Sequence, residues 1–443
     1  MNEDVLTIEI GSTITKANAF RLQPGGILEH LAQGFSTTTV AEGDVGIGVD
    51  VALAEVETNL GRSLNDPQIF INSSAAGGLR MTVHGLTQSM TARAAREAAL
   101  GAGAIVKLVT VGALDAYDLD AIRDIKPNII LLAGGVDYGE KKIVLQNAES
   151  LASLGLQVPI VYAGNAVIRK PIKEIFDSAG IETLLADNVF PEVDVLNIKP
   201  VRYLIQQVFN RHIIHGPGMS RLGELTDHQI LPTPGAVLHA AELFAKALGD
   251  CLVFDVGGAT TDVHSVSEGS REWADRLTEP EPYAKRTVEG DLGVYVNARN
   301  IIEMAAGEGL HYQIENLKAV PKTEHEMTLT RWLCTRAVET AIRRHAGMVV
   351  DVYTPTGKRQ VVRGKDLSAV KWVIGTGGAL TRIPGGAEIL RSICTGPGKY
   401  LLPPPDTAVL IDRDYLFSAF GTLAGVYPDA VKNTFLAWVE SQA

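Results

Sequence analysis

The chain is short of cysteine: Cys251, Cys334 and Cys394 are its only three in 443 residues. They stand far apart and form no Cys-x-x-Cys pair, which excludes a disulfide framework and a zinc ribbon as organising devices. Basic residues are outnumbered, with 40 Lys and Arg against 51 Asp and Glu, for a net charge of −11. A general binder of nucleic-acid backbone needs a basic surface, so no nucleic-acid partner is expected. The charge leaves a nucleotide site open, because backbone amides hold phosphate without net charge. Long apolar runs are missing as well. The most apolar stretches, such as residues 128–136, are too short to span a bilayer. The N-terminus carries Glu3, Asp4 and Glu9, the wrong flank for a signal peptide. These absences predict a cytoplasmic protein with no membrane partner. Short-period repeats and low-complexity tracts are absent too.

What remains is an ordinary globular mixture, 46% hydrophobic and 21% charged. Its length suits about two to four domains. Glycine, at 44 residues, exceeds the usual ~7% and gathers in short runs.

Strands and helices alternate along the chain. Val5–Ile10 and Ile14–Phe20 read as strands around a tight turn, residues 46–61 as a helix, and Gln68–Asn72 as a short strand. Ala92–Gly101 is Ala-rich and helical. Strands are predicted at 105–111, 128–133, 158–163 and 181–186, with helices at 115–124, 140–154 and 166–179. That rhythm predicts a parallel, doubly wound sheet. A helix starting at Pro200 has the apolar stripe Val201, Leu204, Ile205, Val208 and Phe209. Residues 215–234 read as loop and 236–248 as helix. The strand Cys251–Val256 and a hairpin through Val266 follow. Further on come a long helix near 324–346, a strand at 371–374 and a helix at 385–393. Helix and loop are expected after Pro403-Pro404-Pro405.

The two halves open alike. The first has Glu9-Ile10-Gly11-Ser12-Thr13-Ile14-Thr15-Lys16, and the second Asp255-Val256-Gly257-Gly258-Ala259-Thr260-Thr261-Asp262. In each, an apolar strand ends in an acid, then glycine, then hydroxyl residues, then a second strand. Glycine admits a phosphate that a Cβ would keep away, and the nearby carboxylate suits hydrated Mg²⁺. Two such turns facing each other would grip a triphosphate. A third Gly-rich turn, Gly375-Thr376-Gly377-Gly378, follows a strand late in the chain. Strand, Gly-Gly and helix can admit a flat base against the backbone.

Taken together, these turns resemble the phosphate-1, phosphate-2 and adenosine motifs of the actin, sugar-kinase and heat-shock-chaperone ATPase superfamily, in the same order. The resemblance implies an α/β fold of two related actin-like (ribonuclease H-like) lobes with ATP and Mg²⁺ in the cleft. It implies that Gly11, Ser12, Thr13 and Lys16 flank the phosphates from one side, and Gly257, Gly258, Thr260 and Thr261 from the other. Asp255 and Glu9 would lie near the metal, and Glu9, Asp255 and Asp262 would be the catalytic acids. Gly375, Gly377 and Gly378 would line the adenosine, and Gly290 and Asp291 would form a further nucleotide-side turn. One departure is that Glu9 stands where the motif usually has Asp, which alters metal distance or water positioning. The domains on this reading are a first lobe (1–103), an inserted α/β domain (104–200), a connecting helix and loop (201–235) and a second lobe (236–443).

A closer resemblance covers nearly the whole chain. The runs TIEIGSTITKANAF, LLAGGVDYGEKK (131–142), VYAGNAVIRK (161–170) and FDVGGATTDVHSV look like the GlmL/MutL family. That family is unrelated to the mismatch-repair protein of similar name. Its members are encoded with adenosylcobalamin-dependent carbon-skeleton mutases and aminomutases and are regarded as their accessory or reactivating proteins. The resemblance implies a chaperone-like, slow ATPase with such a mutase or aminomutase as partner, and is compatible with a homodimer.

Other signals carry less. Gly134–Lys141 nearly spells a P-loop, but Glu140 intrudes and no Ser or Thr follows Lys141. Asp262-Val263-His264 starts a cobalamin lower-ligand motif, but Ser267 holds its glycine position, so no cobalamin site is expected. His212, His215 and Glu324-His325-Glu326 lack the ligand spacing of a zinc site. Three rival readings stay open: an ATP-driven activator of a radical dehydratase, with cysteine-held iron–sulfur; a small-molecule kinase, with Asp262 or Asp291 as base; and a nucleotide-binding scaffold without turnover.

Overall fold

The computed structural model describes residues 4–75, 78–216, 218–305, 317–355, 357–395 and 398–442. The chain packs as two units. The N-terminal unit comprises Asp4–Ala19 and Ala32–Gly235, and the C-terminal unit takes Phe20–Leu31 with the chain from Ala236 onward.

In the N-terminal unit, β1 (Asp4–Ile10), β2 (Ile14–Leu22), β3 (Leu28–Thr37) and β4 (Gln68–Ser73) begin one sheet. Every residue of β1 is buried, as befits a central strand, and β4 runs parallel to it with Glu9 opposite Asn72. The helix Val45–Leu60 lies between β3 and β4 in sequence. Asp44 caps its start by accepting from Gly46 N, and Gly61 ends it in the left-handed region, with φ 71°. The chain then leaves for a second sheet. Its strands are β5 (Arg80–Gly85), β6 (Ile105–Val111), β7 (Ile129–Leu132), β8 (Ile160–Tyr162) and β9 (Thr183–Leu185). All pair in parallel, in the order β6-β5-β7-β8-β9. Helices 116–125, 142–153 and 169–178 connect them, and Ile122, Leu132, Val144, Tyr162, Ile172 and Phe176 form the core. The chain returns through the helix Lys199–Ile213 to β10 (Leu231–Pro232), which adds to β4 in parallel.

In the C-terminal unit, β11 (Cys251–Val256), β12 (Thr261–Val266) and β13 (Ala284–Glu289) form an antiparallel meander. After the helix Glu324–His345 comes a separate two-stranded hairpin, β14 (Met348–Thr354) and β15 (Gly357–Arg363). The sheet is completed by β16 (Trp372–Thr376), parallel to β11, and β17 (Ala408–Ile411), parallel to β16. The long helix begins with a reciprocal cap between Thr323 and Glu326 and ends in Arg343, Arg344 and His345, where cations suit its dipole. Its Leu329, Leu333, Val338 and Ile342 share a core with Leu252, Phe254 and Val263 of the sheet. The hairpin tip of β2 and β3 belongs to this unit: Leu28 N donates to Thr434 Oγ1 at 2.9 Å, and the Phe20 and Phe420 rings lie 5.8 Å apart.

The order of the first sheet is β3-β2-β1-β4-β10, and that of the second is β13-β12-β11-β16-β17. Both therefore read third, second, first, fourth, fifth along the chain, once the inserted strands β5–β9 are set aside. The two halves have one topology, the ribonuclease H-like order of actin-like ATPases, with an inserted α/β domain between the fourth and fifth strands of the first.

The structure differs from expectation at several places, beginning with β3 and β13, which lie where no strand was expected. The inserted sheet begins at β5, before residue 104, so the expected boundary falls between two paired strands. β5 was hard to read because its Thr82 and His84 are polar. They are nonetheless buried, with His84 Nδ1 2.8 Å from Thr110 Oγ1 and Nε2 3.0 Å from Thr82 Oγ1. The segment expected as a connector, 201–235, ends in a strand of the first sheet. β17 lies where helix and loop were expected, and the β14–β15 hairpin was not foreseen. No helix among the described residues is long and apolar enough to cross a membrane.

Candidate functional site

β1 and β2 meet at a turn closed by Gly11 N donating to Ile14 O at 3.0 Å. A Cβ on Gly11 would stand 2.7 Å from that same oxygen. The carbonyls of Gly11 and Thr13 are engaged by one residue just beyond the end of β3, Thr38. Thr38 donates its hydroxyl to Gly11 O at 2.8 Å and its amide to Thr13 O at 3.0 Å. Ser12 and Thr13 are exposed. Lys16 pairs with the acid before the turn: its Nζ lies 3.1 Å from Glu9 Oε2, and the two side chains are 2% and 10% exposed. The structure thus places Lys16 and Glu9 together as a buried ion pair beside the turn.

The β11–β12 turn repeats this design. Gly257 N donates to Thr260 O at 2.9 Å. Gly257 O accepts from Val294 N, Gly258 O from Tyr295 and Val296 N, and Ala259 O from Asn297 Nδ2 at 2.7 Å. All four carbonyls of residues 257–260 are therefore held by the fold. Carbonyl oxygens aimed outward would repel an anion. With them turned in, the loop offers amides, the chemistry of a phosphate nest. Gly293 lies directly beneath the turn, where a Cβ would collide with the Ala259 carbonyl.

Asp255 and Asp262 face each other across β11 and β12. Asp262 is committed to structure. Its Oδ1 accepts from Arg286 Nε at 2.7 Å and lies 2.6 Å from Nη2, and its Oδ2 accepts from Thr260 Oγ1 at 3.1 Å. Arg286 thereby offsets two acids placed opposite one another. Asp255 also pairs in register with Thr376 of β16, which brings the second and third turns together. A Cβ on Gly377, whose φ is +84°, would stand 2.6 Å from Asp255 Oδ1 and 2.5 Å from Val256 O. Gly375 is packed under Leu390 and Ile411, whereas Gly378 and Gly290 have open space around them.

Gly290 and Asp291 follow β13. Arg344, in the last turn of the long helix, donates to Glu289 Oε2 at 2.7 Å and to both Asp291 oxygens at 2.8 and 2.9 Å. Those bonds hold the Asp291 carboxyl below its ordinary range, while burial pushes Glu289 up against the opposing pull of Arg344. Asn297 Nδ2 ties Gly290 O to Ala259 O. The next residue in the helix, His345, bridges Ser265 and Thr287 at 2.8 Å each and is kept neutral mainly by burial.

The topology explains the convergence. β11, β13, β16 and β17 run in one direction, so their carboxyl ends share one edge of the sheet. That edge carries Asp255, Gly257–Thr261, Gly290–Asp291 and Gly375–Gly378. It also carries Asp412, which accepts from Thr376 Oγ1 at 2.9 Å and from the amides of Leu416 and Phe417. The corresponding edge in the N-terminal unit carries Glu9, Gly11–Thr13, and Asn72 with Thr233 hydrogen-bonded at 2.7 Å. Thr38, Asn72, Asn297 and Asp412 were not singled out from the sequence, which marks Arg344 only as a cation closing the long helix. These residues lie in strands, loops and a helix without local motif, and only the paired topology brings them to these edges.

The declined signals have ordinary places. Gly134–Lys141 is the turn between β7 and the helix starting at Lys142. Asp262, Val263 and His264 lie inside β12. The three cysteines are buried. Burial raises the thiols of Cys251 and Cys334, the latter to about 12, and that of Cys394 to about 11.

Among solved structures, the chain is similar to a diol dehydratase-reactivating factor in nucleotide-free form, at 13% identity, covering 96% of this chain and all of that one, with a TM-score of 0.37. It is also similar to the activator of 2-hydroxyisocaproyl-CoA dehydratase from Clostridium difficile with bound ADPNP, at 11% identity, covering 97% and 96%, with a TM-score of 0.29. The protein MutL of Clostridium tetanomorphum is 38% identical over 450 residues, with 96% of each chain covered. The model of the MutL protein family matches residues 5–438, from the first residues of β1 to the closing helix, and so takes in both turns and the inserted domain. The chain belongs to the MutL protein family.

Proposed function

We propose that this protein is an ATP-dependent, chaperone-like accessory protein that reactivates or assembles an adenosylcobalamin-dependent mutase of the glutamate mutase or aminomutase type. One observation carries the nucleotide part: two topologically equivalent turns, each ending an acid-tipped strand, with carbonyls engaged by the fold. ATP with Mg²⁺ is the proposed ligand of these turns. Asp255 suits the metal, since a hard carboxylate oxygen at the strand end is held against Gly377. Mg²⁺, when bound, would neutralise charge on the phosphates. The protein's own contribution is positioning. The amides of Gly258–Thr260 orient the phosphates, while Thr261, fully buried, donates its hydroxyl to Leu292 O at 2.7 Å and supports the turn from within. Asp262 orients Thr260, and the open space at Gly378 leaves room for the base. Glu9, fixed by Lys16, would position metal-bound water. The mutase partner rests on membership of the family.

Two observations weigh against the rivals. The activator of a radical dehydratase needs exposed cysteine ligands, whereas Cys251, Cys334 and Cys394 are buried with raised thiols. A small-molecule kinase needs a free base, whereas Asp262 and Asp291 are held by Arg286 and Arg344. Calorimetry of Mg-ATP binding tests the ligand assignment. Asp255→Ala should weaken binding well over tenfold, because a lost metal contact costs several kcal/mol. Unchanged affinity would remove Asp255 from the site. A pull-down of the mutase with ATP, ADP or no nucleotide separates a working ATPase from a passive scaffold, for which capture would not depend on the nucleotide.

A further inference from the structure

The two units share one strand order, so each reports what the other has added. Between the helix Val45–Leu60 and β4, the N-terminal unit has a short link. Between the equivalent helix Glu324–His345 and β16, the C-terminal unit carries the β14–β15 hairpin, a sheet of its own. The shared fold does not require it. An isolated hairpin is also marginal in water and leaves strand edges open.

The hairpin borders a groove of about 660 Å³ lined by Trp273, Met348, Val350, Asp351, Arg363 and Lys399 among others, so two cations face one acid there. Its base is fixed. Val349 N donates to Lys399 O at 2.8 Å, and Thr278 N donates to Val362 O at 3.0 Å. Beyond the base it stands in solvent, with Tyr353 83% exposed. Met348, Val350, Val352 and Val361 alternate onto one face and are only half-buried. Positive charge surrounds this apolar strip. Residues 348–363 hold Lys358, Arg359 and Arg363 against Asp351, in a chain whose net charge is −11. The lone acid is already met by Lys358 at 3.0 Å. Lys399 adds a cation on the groove, and the Arg276 guanidinium lies 5.0 Å from the Trp273 ring centroid.

We propose that this groove and hairpin dock an extended, acidic segment of a partner protein, with aliphatic side chains over Met348, Val350 and Trp273 and carboxylates against Arg363 and Lys399. Charge complementarity selects such a segment. The docking uses none of the nucleotide turns, so it stands apart from the function proposed above.

The test is fluorescence anisotropy of a labelled peptide of alternating Glu and Leu, with the matching Lys and Leu peptide as control, on the full chain without nucleotide. The acidic peptide should bind and the basic one should not. Raising salt from 50 to 500 mM should weaken binding several-fold. Arg363→Glu, at an exposed position, should lower affinity at least tenfold, with circular dichroism unchanged. Val350→Ser should lower it several-fold without altering the salt dependence. Equal binding of both peptides, or no binding of the acidic one, would overturn the proposal. So would a wild-type dimer that Arg363→Glu dissociates, since the face would then belong to a second copy of this chain.

Discussion

The Lys16 ammonium lies 3.1 Å from the Glu9 carboxylate, and both side chains are out of solvent beside the first phosphate turn. Removing one partner of a buried ion pair costs about 3–5 kcal/mol. Glu9→Gln should therefore lower unfolding stability by about that amount in urea denaturation, and Glu9→Gln with Lys16→Met should regain much of it. In residual folded protein, Glu9→Gln should reduce ATP turnover more than ATP affinity, because positioning acts in the transition state. Full stability in the single variant would mean that the pair is not energetically coupled.

Gly377 and Gly378 are neighbours with opposite constraints. Gly377→Ala would place a methyl against Asp255 and Val256 at positive φ, whereas nothing lies near the Cβ position of Gly378. Gly377→Ala should cost about 1–3 kcal/mol of stability and at least tenfold in Mg-ATP affinity. Gly378→Ala should keep its stability. Calorimetry and thermal unfolding of the two variants side by side decide the point, and equal stability losses would refute the distinction.

Arg344 ties the end of the long helix to Glu289 and Asp291. Its planar fork serves both Asp291 oxygens at once, which an ammonium cannot reproduce. Arg344→Lys should therefore loosen the Gly290–Gly293 turn beneath Ala259 and lower Mg-ATP affinity about three- to tenfold, with less than about 1.5 kcal/mol lost in stability. Unaltered affinity would show that this turn does not support the phosphate site.

His84 is buried in β5, and burial pushes its pKa down to about 3. The folded form stays neutral while the unfolded chain takes up a proton below its ordinary value of 6.5. Its contribution is thus complete above pH 6.5 and falls as pH drops towards 3. In urea titrations over that window, wild type should lose about 1.4 kcal/mol per pH unit more than His84→Gln. Parallel slopes for the two proteins would contradict this.

The sequence made some of this legible for physical reasons. Gly11 and Gly377 announce themselves because close approach to backbone tolerates no Cβ, and the strands around them are continuous apolar runs. β5 escaped notice because Thr82 and His84 satisfy each other inside the sheet, so their polarity says nothing about exposure. The β14–β15 hairpin was hidden for the opposite reason: it is largely solvated and lacks a two-sided core pattern. Lys16 reads as a phosphate ligand by proximity in sequence, but alternation along β2 turns it towards Glu9. Arg344 is legible as the end of the long helix, but its acids, and the place of Asp412, required the strand order.

An adenosylcobalamin mutase that loses its radical keeps damaged cobalamin in a closed site. Opening that site is uphill unless something binds the open form preferentially. The most direct measurement is recovery of a turnover-inactivated mutase, with fresh adenosylcobalamin, by wild-type protein and by Asp255→Ala. The account predicts recovery with the wild type only when ATP and Mg²⁺ are present, and little or none with Asp255→Ala. Equal recovery by both proteins, or recovery without nucleotide, would contradict an ATP-driven reactivase.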